Sequence, residues 1–288
     1  MQICNMIENN RPFLSLEFFP PKEKEGWPEF FARVEKLKQL HPLFVSITCG
    51  AGGSSRDNTL EIASRLQNEM GLETMAHLTC LGGDRASMKE TLTQLQGMGV
   101  SNILALRGDP SRDPDAPPPP KDFCYASDLV TYVRENFPEI GVGVAGYPEA
   151  HPESPSIASD RQRMKEKLEC GTDILVTQFL FDSRLYFDYV ERLRELGVTQ
   201  PIIPGVLPVL SLKSVRHILS LSGASIPGRL YLDLEEANER GGPEEVRRLG
   251  IEFARKQIRE LLAGGAPGIH LYTLNQAEPC LQIAADLF

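Results

Sequence analysis

Glu17 is the residue whose position most demands a chemical explanation. It stands in the apolar run Phe13-Leu14-Ser15-Leu16-Glu17-Phe18-Phe19, which halts at Pro20-Pro21, because proline offers no N–H to a ladder and fixes φ. An acid on an apolar strand is expensive to bury unless a partner pairs with it or a reaction uses it. Two readings stand: a paired core acid, or a working acid beside a rigid strand exit. Similar groups end the other apolar runs: Thr48, His77, Arg107-Gly108-Asp109, Tyr147 with His151, Gln178, and Tyr272 with Asn275. Chance would scatter such groups to both ends of strands. Here they collect at the C-terminal ends, and the sequence predicts a small-molecule active site there.

The elements that must carry these residues alternate strictly. After the first strand, predicted strands cover 44–48, 74–80, 102–106, 142–147, 174–181, 201–207 and 268–273. Helices are predicted to open at Trp27-Pro28, near Arg56, at a capping box over Ser87-Met88-Lys89-Glu90, and behind Ser127-Asp128. Further helices are expected over 159–171, 183–197, 211–222, 231–239, 243–263 and 277–288. Eight β-then-α units match an α/β (β/α)8 TIM barrel in a single domain spanning residues 1–288. A doubly wound open sheet uses the same units but usually fewer of them. The tract Pro117-Pro118-Pro119-Pro120 reads as an extended surface loop, and Gly50-Ala51-Gly52-Gly53 as the exit of the second strand.

Composition narrows the function classes. A net charge of -9 leaves no basic excess to neutralise phosphates, which argues against nucleic acid or an anionic membrane as partner. No stretch reaches the roughly 18 apolar residues of a membrane span. Residues 1–12 lack the basic start and apolar core of a signal peptide, so a cytoplasmic protein is expected. The six cysteines, at 4, 49, 80, 124, 170 and 280, form no C-x-x-C pair and read as thiols in a reducing compartment. His77 and His151 with Cys49 and Cys80 lack metal-ligand spacing, so no metal is expected. Gly141-x-Gly143-x-x-Gly146 has the spacing of a dinucleotide fingerprint but lies inside a strand and leads to Tyr147-Pro148, not to a helix. Its glycines read as room for a flat ligand or neighbouring backbone. Arg107-Gly108-Asp109 reads as an internal ion pair or a ligand contact. Arg161, Arg163, Lys165 and Lys167 read as a solvated helix face or as a seat for a phosphate-bearing cofactor tail.

Nine segments carry a more specific signal: 16–21, 44–48, 77–80, 106–109, 125–130, 147–153, 177–179, 203–208 and 270–275. In that order the chain resembles the methylenetetrahydrofolate reductase family over the whole catalytic barrel. The resemblance implies bound FAD, with NADH or NADPH and 5,10-methylenetetrahydrofolate taking turns at one flavin face by ping-pong hydride transfer. The product would be 5-methyltetrahydrofolate, the methyl donor for methionine biosynthesis. Glu17 matches the family acid that protonates folate N10, and apolar neighbours such as Phe18 and Phe19 are expected to raise its pKa. Asp109 matches an aspartate near the flavin and the pterin, and Gln178 a glutamine at the pterin and nicotinamide side. Thr48, His77, Arg107, Gly108, Ala126, Tyr147, His151, Asp160 and Lys167 fall where the family holds FAD, while Tyr272 and Gln276 fall on the folate side. This sequence departs from the family at Cys49, Arg163, Ser214 and Gln276. It also ends with the barrel, so a prokaryotic-type enzyme without a regulatory domain is expected. Reduction by an electron-donating partner subunit, self-association, and a different flavin barrel (proline-dehydrogenase-like) are left open by the residues.

Overall fold

Alternation along each strand decides which side chains face the barrel lumen and which face the helices. Across the first strand, β1 (Phe13–Phe18), Leu14, Leu16 and Phe18 join the large outer core, while Phe13 joins a separate inner cluster. Ser15 and Glu17 share the inward parity of Phe13. A computed structural model describes residues 1–49, 56–109 and 122–288. The proline tract and the glycine run after the second strand lie outside the described residues.

The strands that follow are β2 (Phe44–Ile47), β3 (Thr74–Thr79), β4 (Asn102–Leu106), β5 (Gly141–Gly146), β6 (Ile174–Phe179), β7 (Ile202–Val206) and β8 (Gly268–Tyr272). All pair in parallel with their sequence neighbours, and β8 returns to β1, so the eight strands form a closed (β/α)8 barrel in one domain. The register at the closing seam sets Ser15 opposite His270 and Glu17 opposite Tyr272, and on the other side Glu17 opposite Ser46. Three strands thus bring their polar residues to one level.

The connecting helices are α2 (Trp27–Lys38), α3 (Arg56–Asn68), α4 (Arg85–Gly97), α5 (Ala126–Asn136), α6 (Ile157–Glu169), α7 (Ser183–Glu195), α8 (Leu212–Ser222), α9 (Gly228–Ala263) and α10 (Ala277–Ala284). The predicted break before Pro243 is real. Gly242, at φ 65° and ψ -154°, interrupts α9 just ahead of that proline. The capping box of α4 sits three residues earlier than predicted: Asp84 accepts from the Ser87 N–H at 2.8 Å, and the Asp84 N–H returns to Ser87 Oγ. Asp84 takes the cap position because the helix already begins at Arg85.

Residues 1–12, assigned no structure from sequence, contain α1 (Ile3–Asn9). Ile3 and Ile7, one turn apart, pack against Phe13, Phe44, Met75, Leu104 and Ile174, closing the barrel at the N-terminal ends of its strands. The Ile3 N–H donates to Asn102 Oδ1 at 2.9 Å, which anchors the plug to β4. The glycines of β5 make room for side chains, not for a flat ligand. A Cβ at Gly146 would stand 2.6 Å from the Tyr189 hydroxyl, and one at Gly143 would crowd Leu104 and Ile174 at 3.1 Å.

Candidate active site

At the C-terminal end of β1 the inward parity delivers Glu17 into a buried cluster. His270 Nε2 lies 3.3 Å from Glu17 Oε2, and His77 Nε2 lies 3.4 Å from the same oxygen without hydrogen-bond geometry. His270 is fully buried, and its Nδ1 meets Ser15 Oγ at 2.8 Å. Ser46 Oγ stands 3.4 Å from His270 Nε2. The backbone of Glu17 is also fixed, since its carbonyl accepts from Thr273 Oγ1 at 2.6 Å and from the Thr273 N–H at 3.2 Å.

Burial opposes the charged carboxylate, but the hydrogen bond with His270, the neighbouring rings of His77 and His270, and Ser46 outweigh it; the pKa of Glu17 lies below its ordinary value. This corrects the expectation of an acid held protonated by Phe18 and Phe19. Phe18 points outward and meets Phe30 edge-on, so the groups at the carboxyl are polar. His77 is pushed down to about 4, chiefly by burial, with Glu17 opposing and His270 adding to the shift. Its ring is therefore neutral at pH 7.

Tyr272 flanks the cluster. Its hydroxyl donates to the Thr177 carbonyl at 3.1 Å, across the register shift between β6 and β7. Gly205 permits this reach, because a Cβ there would come within 2.7 Å of the Tyr272 ring and 2.5 Å of the Thr177 oxygen. Burial drives the phenol well above its usual pKa, with Glu17 adding to the shift.

Beside this centre, a cavity of about 480 Å³ opens between β4, β5 and α6. Arg107, Ala126, Tyr147, His151, Asp160 and Lys167 line it, as does Arg163. The partner of Arg107 is Glu153, gripped at 2.6 and 2.9 Å, so the reading of Arg107 and Asp109 as an internal ion pair is replaced. Lys167 Nζ donates to the Ala145 carbonyl at 2.8 Å, and burial lowers its pKa to about 8 despite Asp160. Asp160 accepts from the His151 N–H through Oδ1, while its buried Oδ2 has no hydrogen-bond partner among the described residues. His151 Nδ1 accepts from the Glu153 N–H at 3.1 Å, which turns the ring against Tyr147 at a centroid distance of 4.8 Å.

The predicted residues therefore separate into groups. Six line the cavity, and Gly108 and Asp109 follow Arg107 at its edge, with Asp109 exposed. His77 and Tyr272 gather at Glu17 instead, and Thr48 is buried with an unpartnered hydroxyl among the described residues. Gln178 joins Tyr147 in a smaller depression under Ser222-Gly223-Ala224. Gln276 is exposed ahead of α10 and joins neither group, and the Ser214 hydroxyl turns back to the Ser211 carbonyl of its own cap. The basic helix splits as well: Arg161 pairs with Asp188 and Lys165 with Glu169, leaving Arg163 and Lys167 to the cavity. Among the described residues no cluster of potential metal ligands occurs, and no helix is long and apolar enough to cross a membrane.

Sequence reasoning missed the roles of Ser15, Ser46 and His270 around Glu17, and of Glu153 on Arg107. The available signal was parity: Ser15 lies two residues before Glu17, Ser46 two before Thr48, and His270 two before Tyr272.

Fold and site together define a class: a (β/α)8 barrel whose C-terminal mouth holds the buried carboxyl of Glu17 beside a cleft lined by cationic and acidic side chains. The chain belongs to the methylenetetrahydrofolate reductase family, whose model matches residues 2–287. It is 34% identical over 276 residues to the 5,10-methylenetetrahydrofolate reductase of Escherichia coli, covering 95% of this chain and 90% of that one. It is also 36% identical to methylenetetrahydrofolate reductase (NADH) 1 of Arabidopsis thaliana, over 99% of this chain and 50% of the relative. The chain thus spans about half the length of that and other eukaryotic relatives it matches. Among solved structures, a Clostridium thermocellum protein described as binding two copies of 5-methyl-5,6,7,8-tetrahydrofolic acid superposes with a TM-score of 0.69. At 16% identity over 100% of this chain and 99% of that one, this likeness speaks for the fold.

Proposed function

We propose that the protein reduces 5,10-methylenetetrahydrofolate to 5-methyltetrahydrofolate, with FAD as cofactor and NADH or NADPH as hydride donor in alternating half-reactions. The observation that carries this reading is Glu17, a buried carboxyl at the C-terminal mouth of the barrel beside a cleft that holds Arg107, Arg163 and Lys167, in a chain of this family.

The cleft residues fit FAD. Arg163 and Lys167 supply cationic donors for a pyrophosphate, Arg107 would join them only on release from Glu153, and the unpartnered Asp160 Oδ2 is an acceptor suited to a ribose hydroxyl. FAD, when bound, supplies two-electron transfer between the nicotinamide and the folate methylene carbon. Tyr147 and His151 form an aromatic wall of the cleft. Glu17 delivers a proton to folate N10 as the C–N10 bond of the imidazolidine ring breaks, leaving an N5 iminium as hydride acceptor. Asp109 and Gln178 orient the pterin from the rim, and Tyr272 closes the lumen beneath it.

The test is an anaerobic spectrum of the protein, taken alone, after NADH, and after methylenetetrahydrofolate. A yellow protein bleached by NADH and recoloured by the folate is the expected result. Recolouring by folate only after chemical reduction would assign the electrons to a partner protein. A protein that takes up no flavin when FAD is supplied would overturn the reading.

A further inference from the structure

Arg107 lines the cleft, yet neither edge of its guanidinium is open to a second anion. At the end of the fork, Nη1 and Nη2 donate to the two oxygens of Glu153 at 2.6 and 2.9 Å. On the side edge, Nε donates to the Gly108 carbonyl at 3.2 Å. A guanidinium grips a phosphate through two parallel N–H bonds from one edge. Glu153 holds one such edge entirely, and the other is half spent.

The hold is built to open by side-chain rotation alone. Glu153 lies in the loop between β5 and α6, where its N–H donates to His151 Nδ1 at 3.1 Å and the Ser154 N–H donates to the His151 carbonyl at 2.8 Å. That turn fixes the backbone against the cleft wall. The Glu153 side chain is 60% exposed, so its carboxylate reaches water when it leaves the guanidinium and no buried charge is left behind. Charge points the same way. Arg107, Arg163 and Lys167 share the lining with Glu153, Asp160 and Glu166, and the formal charges cancel. With Glu153 turned into solvent, the cations outnumber the acids.

We propose that Glu153 is a displaceable stand-in for a ligand phosphate: it parks Arg107 at the cleft wall, surrenders it to a phosphate-bearing cofactor, and thereby sets how tightly that cofactor is held. This rests on the reading of the cleft as the FAD site. Uptake is then an exchange of anions on one guanidinium, and every ligand that uses Arg107 through its phosphates meets the same internal competitor.

The experiment titrates FAD into the flavin-free whole chain by fluorescence quenching, alone and against inorganic pyrophosphate as competitor. Glu153→Gln keeps the shape of the side chain and removes its charge. It is expected to bind FAD about tenfold more tightly, and pyrophosphate more tightly by the same factor. Glu166→Gln is the comparison, because it removes an acid of the same cleft whose Oε1 accepts from Gln162 at 3.3 Å and not from Arg107. Its gain is expected to be about twofold or less, as for a screened charge. Weaker FAD binding in Glu153→Gln would show that the acid braces Arg107 within the complex, and overturns the proposal. Unchanged binding, or an equal gain in Glu166→Gln, overturns it too. Failure of the cofactor reading looks different: wild type and both variants alike would leave flavin fluorescence unquenched, and the exchange falls with that reading.

Discussion

The two ends of the barrel lumen are built from the same strands and do opposite work. Toward the N-terminal ends, Phe13, Phe44 and Met75 interlock with Leu104, Ile174 and the plug residues Ile3 and Ile7. Two residues further along, β1, β2 and β3 present Ser15, Ser46 and His77, and two beyond Ser15 stands Glu17. The lower half fills space to interior density and gains from every contact. The upper half buries polar groups whose cost is met only by mutual hydrogen bonding. The comparison teaches that the inward parity is set once for the whole strand, and that what changes along it is the residue type alone.

If the division of labour is correct, substitutions in the two halves should fail in different observables. The largest effect belongs to Glu17→Gln, which should slow folate-dependent reoxidation by about 10²- to 10⁴-fold while NADH still bleaches the flavin; equal loss of both steps in stopped-flow would break the comparison. In the lower half, Phe44→Ala should cost about 3–5 kcal/mol of stability by denaturant melts. Its effect on the acid step should then come only through His270, against which the ring stacks.

Acid titration sharpens the contrast. His77 has a folded pKa of about 4 against an ordinary value of 6.5, so the unfolded chain binds more protons between these limits. Stability should therefore rise with pH through that window and be lost on acidification, by on the order of 3 kcal/mol at full extent. His77→Gln should remove that component from the melting profile, and an unchanged acid limb would place the cost elsewhere. The smallest effect is expected at the cleft: Lys167→Met should weaken FAD binding by about tenfold without lowering stability, because a lysine held at a pKa of about 8 is a burial cost to the apoprotein. Equilibrium dialysis against FAD checks it.

Most of the frame was legible from the chain. Strand positions followed from apolar runs such as the one ending at Pro20-Pro21, helix ends from Gly71 and Gly197, and the strict alternation of units led to a closed barrel. The plug was not legible, because Ile3 and Ile7 form a single helical turn's worth of periodicity, too short a pattern to outweigh a loop. Glu17 stood out because a lone carboxyl in an apolar strand is conspicuous locally. Its partners did not stand out. Ser15 and Ser46 are unremarkable in sequence, and His270 lies 253 residues away, brought alongside only by the β1–β8 register. The direction of the Glu17 pKa was misread for the same reason: Phe18 and Phe19 are neighbours in sequence, whereas the groups that matter are neighbours in space. Arg107 and Asp109 stand two positions apart in sequence, yet the guanidinium turns to Glu153, which offers a two-pronged carboxylate across the cleft.

The seam between the first and last strands carries one more consequence. Thr273 grips the Glu17 carbonyl, and Asn275 both accepts from the Phe19 N–H at 3.0 Å and donates to the Phe19 carbonyl at 2.8 Å. The residues that hold the strand of the acid thus lie 256 positions away from the backbone they grip. Until the eighth strand docks against the first, Glu17 has no backbone clamp. Closure of the barrel seam is itself the event that clamps the site, so a barrel in which β8 is undocked can keep seven strands and still lack the grip on Glu17.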